Sequence, residues 1–149
     1  MKKYALLSFL FLVAVAIAIT LACGSAQKVV TNCGPLAGPN TTGGLESVAV
    51  CPAVADAQQY PGGEVPFIAV GVYTTQPSPA IIPTGVVWGA CQGEANTNDV
   101  TFVGGAAKCA SGASGTYNVY AIGGVTECEH VGPCGTGCVI TGTAQLTCP

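Results

Sequence analysis

The chain has 149 residues, a formal net charge of −3 and a charged fraction of only 7%, where an ordinary soluble domain carries about 25%. That length leaves room for one domain of about 100 residues behind an N-terminal targeting segment. After residue 22 the cations are Lys28 and Lys108 alone, against seven carboxylates for a net −5, a balance that argues against nucleic acid as a partner.

Lys2 and Lys3 precede an uncharged, apolar run from Tyr4 to Ala22. This is the pattern of an export signal, and the run is also long enough for an uncleaved membrane helix. The stretch that follows, "TLACGS" from Thr20 to Ser25, resembles the lipobox of bacterial lipoproteins, in which a cysteine after a small residue is acylated and becomes the new N-terminus. Ala22 and Cys23 match that pattern, while Thr20 stands where the family favours Leu. The resemblance implies a signal peptide over 1–22, lipidation at Cys23 and membrane attachment through the lipid. Ordinary cleavage after Ala26 is the competing route.

The nine cysteines suit either route. With Cys23 acylated or removed, Cys33, Cys51, Cys91, Cys109, Cys128, Cys134, Cys138 and Cys148 remain, an even set for disulfides in an oxidising compartment. Cys91 and Cys109 end and begin neighbouring segments across a short loop and form the first pair to expect; the other pairings stay open.

Residues 23–44 are rich in Gly, Pro, Asn and Thr and read as a flexible linker. Within it "NTT", Asn40 to Thr42, fits a glycosylation acceptor pattern that carries no weight in a bacterial host. Short β segments separated by turn residues then follow at 47–51, 64–75, 85–91, 99–103, 106–110, 115–122 and 139–148. In the second, Val65, Phe67, Ala69, Gly71 and Tyr73 share one face, leaving Pro66, Ile68, Val70 and Val72 on the other. So apolar an outward row marks either a partner surface or a face covered by the linker or by a later insertion. The pattern predicts an all-β, antiparallel β-sandwich of about seven strands over residues 45–149, stabilised by disulfides.

The segments "LESVAVCP", "GGEVPFIAVGVY", "VVWGAC", "SGTYNVYAI" and "AQLTC" resemble the bacterial Ig-like domains of group 2, found along bacterial surface and adhesion proteins. Leu45, Ser47, Val48, Val50 and Pro52 match the family's first strand, Gly63, Phe67, Ala69, Gly71 and Tyr73 its second, and Trp88 its third. Gly115, Thr116, Tyr117, Val119 and Ala121 match a later strand. Cys51 and Cys148 replace the family's usual Ser and Val, and "TECEHVGPCGTGC" is an insertion. The resemblance implies an immunoglobulin-like fold and a binding or spacer module without catalysis. From the residues themselves, Trp88, Phe67 and Tyr117 read as core, with Tyr117 at the spacing of a tyrosine corner.

Four zinc-ligand types, Cys128, His130, Cys134 and Cys138, crowd into the insertion, but thiolates in an oxidising compartment pair as disulfides, so no metal is expected. "EANTND", Glu94 to Asp99, lacks the glycine and distal Glu of a calcium loop and reads as a solvated turn. His130 is the only histidine and has no nucleophile motif beside it, so the chain is not expected to be an enzyme, and no cofactor is expected. A carbohydrate-binding module needs an exposed aromatic platform, for which Tyr60 and Tyr120 are the candidates. The reading is a lipid-anchored module of the bacterial cell envelope, at the outer membrane or cell surface. Its expected partners are an envelope protein, a surface polysaccharide or a second copy. The alternative is a small-molecule or zinc-binding protein built on residues 128–138.

Overall fold

The computed structural model describes residues 36–123, residue 134 and residues 140–149, and over these the fold is all-β. The strands are β1 (Leu45–Cys51), β2 (Val54–Asp56), β3 (Glu64–Pro66), β4 (Ile68–Tyr73), β5 (Ala80–Ile81), β6 (Val87–Gln92), β7 (Ala95–Thr97), β8 (Val100–Val103), β9 (Ala106–Cys109), β10 (Gly115–Ile122) and β11 (Thr141–Cys148). They pair as β1-β4-β5, β3-β9-β8 and β2-β11-β10-β6-β7. All pairings are antiparallel except that of β2 with β11.

All seven predicted segments form strands, and the second shows why the first two sheets act as one layer. Pro66 has no N–H to give to a ladder, and Phe67, just after it, donates its N–H to Gly105 O at 3.1 Å. The chain changes neighbours there: β3 pairs with β9, and β4 with β1. Alternation survives the break, with Val65, Phe67 and Ala69 all buried. They face Val119, Leu146, Tyr117 and Ala90 of the five-stranded sheet in one core, so the molecule is a sandwich. Each large side chain buried there contributes about 1.5–3 kcal/mol. Seven of the fifteen core residues are alanine, however, so the sheets lie close and the apolar contribution per residue is modest.

Turn chemistry fixes the hairpins. Gly104 and Gly105, with φ of 57° and 92°, make the two-residue loop joining β8 to β9, where both central residues need positive φ. Gly105 could not be replaced even by a residue tolerating that φ, since a Cβ there would stand 2.6 Å from Phe67 O.

Across the flank carrying β1 and β2, one stretch hems both layers. β1 belongs to the first layer, and the chain then crosses to pair β2 with β11, while Gln145 N–H donates to Ala53 O at 2.9 Å. β11 reaches β1 through Gly142, where a Cβ would be 2.7 Å from Val48 O.

The end of the segment read as linker is docked on the domain. Ala37 bridges to Ala80. Buried Asn40 donates through Nδ2 to Thr75 O (2.7 Å) and Pro77 O (3.0 Å), and its Oδ1 accepts from the N–H groups of Thr42 and Gly43. The nitrogen that the "NTT" pattern would glycosylate is thus a structural donor.

Candidate functional site

On the opposite flank no strand among the described residues closes the gap. β7 pairs with β6 only over Ala90–Gln92, so the edge of β6 at Val87–Gly89 looks toward β8 without a ladder partner among the described residues. Trp88 from β6 and Phe102 from β8 meet across this gap, their rings stacked with centroids 6.1 Å apart and planes 16° from parallel. At that separation the stack is offset, and both rings are only half-buried. Each therefore keeps surface for something else.

Two clefts share this aromatic pair. One, of about 680 Å³, is walled by Ile68, Ile82, Pro83, Thr84 and Val86. The other, of about 510 Å³, is lined by Thr97, Asn98, Thr101 and Tyr120. Among the described residues, neither is lined by a charged one. Tyr120 stands opposite Gly89, and its ring fills the space a Cβ at Gly89 would take. Tyr120 is only 7% exposed, burial raises the pKa of its hydroxyl, and that hydroxyl has no hydrogen-bond partner among the described residues. Asn98 is exposed, and Thr101 donates its hydroxyl to Lys108 O at 3.3 Å.

Trp88, expected in the core, thus sits at its rim, while Phe67 and Tyr117 are fully inside. The Tyr117 hydroxyl donates to Asp99 Oδ2 at 3.3 Å. Burial, then the nearby Asp99 carboxylate, raise its pKa. Tyr60 packs half-buried against the core, away from these clefts. Of the outward row of the second segment, Val70 is buried and Ile68 half-buried, leaving Pro66 and Val72 exposed. The row is interrupted at its centre, where β1 and β5 flank Val70 on both sides.

The expected Cys91 to Cys109 bridge does not form. Cys91 bonds to Cys134 and Cys109 to Cys148, with Cα separations of 5.3 and 5.9 Å. The reason is sheet geometry: Cys91 lies on the face of β6 that carries Gly89 and Tyr120, packed with Ile122 in a small cluster apart from the main core, so it points away from β9. Cys109–Cys148 instead joins the two layers. Cys51 is disulfide-bonded as well; Cys23, Cys33, Cys128 and Cys138 lie outside the described residues.

Cys134 is doubly fixed, since its N–H also donates to Asn96 Oδ1 at 2.7 Å. Its sulfur is spent in the disulfide and is not free to bind zinc as a thiolate; His130 falls outside the described residues. No group of three or more His, Cys, Asp or Glu gathers among the described residues. The Glu94 to Asp99 stretch contributes β7, the Asn96 anchor and the Asp99 acceptor for Tyr117. Compared with models of known protein families and with curated proteins, the chain matches none.

Proposed function

We propose that this chain is a non-catalytic module of the bacterial cell envelope, an Ig-like adhesion or spacer domain exported and held to the membrane by an acylated Cys23. The observation that carries the reading is the disulfide pair Cys91–Cys134 and Cys109–Cys148, because such bonds persist in oxidising, extracytoplasmic compartments. The Ig-like assignment draws support from topology. A first strand crosses between layers and continues as β2, parallel to the last strand, and an inter-sheet disulfide backs the core.

Display draws support from the positions of the chain ends. Leu45 lies against Gly123, beside the start of β11, whereas Cys148 pairs with Gly115 at its far end. β11 has 8 residues, about 25 Å of strand. A tether arriving through the docked residues 37–40, with Asn40 held to Thr75 and Pro77 just past the end of β4 that pairs with Leu45, would therefore hold the Cys109–Cys148 pole away from the membrane. The zinc-binding alternative on residues 128–138 is weakened by the loss of Cys134 to a disulfide.

Intact mass of the native, membrane-extracted protein tests this. The expected mass begins at Cys23 and includes acyl chains, and alkylation adds nothing until reduction frees eight thiols. A chain without lipid, with free thiols and retained zinc, would replace this reading with the metal-binding one.

A further inference from the structure

The open flank holds more polar capacity than its packing uses. Tyr120 is over nine-tenths buried, yet its hydroxyl is unpartnered among the described residues and lines the 510 Å³ cleft beside Asn98 and Thr101. No buried side-chain oxygen or nitrogen among the described residues lacks a partner, so this hydroxyl is the accessible tip of a buried ring and faces the cleft, where a group from outside can reach it. The cleft's volume lies within the range of small-ligand sites. Its walls are uncharged, combining aromatic surface with amide and hydroxyl groups that both give and accept hydrogen bonds.

We propose that the cleft between β6 and β8 binds a neutral saccharide, a sugar ring packing on the Trp88–Phe102 pair while its hydroxyls bond to Tyr120, Asn98 and Thr101. The C–H face of a pyranose is weakly positive and suits the negative face of an aromatic ring. Hydroxyl-rich, uncharged ligands match a wall of Thr, Asn and Tyr with no ion. An added peptide strand fits less well: the open edge of β6 spans only Val87–Gly89, at the short limit for strands. The proposal rests on the adhesive reading of the domain, whose partner it names, and is independent of acylation at Cys23.

Trp88 is the single tryptophan of the chain, so tryptophan emission reports on the two clefts that share it, and variants at Tyr120 and Asn98, which line only the 510 Å³ cleft, tell them apart. The full mature protein, disulfides intact, is titrated with cellohexaose, chitohexaose, maltohexaose and xylohexaose, and separately with an alternating Val-Thr hexapeptide. At least one sugar is expected to give a saturable change in emission. Tyr120→Phe should raise its Kd about 5-fold, as for one lost neutral hydrogen bond, and Asn98→Ala by a similar factor. Val54→Ser, at an exposed residue of β2 on the far flank, should change nothing. No response to any of the four sugars, by emission or calorimetry, would overturn the proposal. So would a response indifferent to both variants, or one to the hexapeptide alone. Envelope partners still recovered by crosslinking in those cases would leave the adhesive reading standing while the saccharide falls.

Discussion

The flank formed by β1, β2 and β11 is closed by backbone, whereas the flank between β6 and β8 is spanned by two aromatic side chains. On the first, a continuous segment belongs to both layers and Gly142 lets the β11 backbone come within van der Waals reach of Val48. On the second, Trp88 and Phe102 stack across the gap with their centroids 6.1 Å apart, and two clefts share the pair. One flank of this sandwich is thus joined by backbone and the other by a pair of half-buried rings beside which the clefts lie.

The comparison can be broken first at the bridge on which both flanks depend. Replacing Cys109 and Cys148 with Ala, which opens a loop with sequence separation 39, is expected to lower unfolding free energy by about 4 kcal/mol in urea titration. Next is the closed flank: Gly142→Val forces side-chain atoms into Val48 and should remove about 3 kcal/mol. The open flank is expected to be more forgiving, so that Phe102→Leu lowers stability by about 1 kcal/mol while changing Trp88 emission. A result in which Phe102→Leu is as damaging as Gly142→Val would mean that the aromatic pair is ordinary core.

The smallest effect sharpens the comparison through pH. The Tyr117 hydroxyl has its pKa raised above the ordinary 10.0 by burial and by Asp99. The folded state therefore keeps this proton where the unfolded chain releases it. Its stabilising contribution is complete below pH 10.0 and is lost as pH rises through the folded value. Melting temperature should fall on entering that range, and fall less steeply in Tyr117→Phe.

Strand periodicity located the seven main segments because each carries its own alternation. It missed β2, β5 and β7, which run two or three residues and exist only because a neighbour supplies the ladder. Pro66 marked the break between β3 and β4, but which strand each half would join is a long-range matter. The same holds for the cysteines: Cys91 and Cys109 are close in sequence order, yet side-chain direction on β6 sends Cys91 to the opposite face. Trp88 and Tyr120 were visible as residues, and their roles were not. Whether a tryptophan is buried or stands at an open rim depends on how far β7 extends along β6, and no local pattern states that.

β11 is central to its sheet, lying between β2 and β10. It is the last described strand in chain order, so β2, whose ladder partner it is, and the Cys109–Cys148 link between the layers both depend on it, whereas β10 also has β6 as a neighbour. In chain order the Cys109–Cys148 bond is thus the last link between the layers that the described strands can make, and the β1–β4, β8–β9 and β6–β10 pairings all precede it.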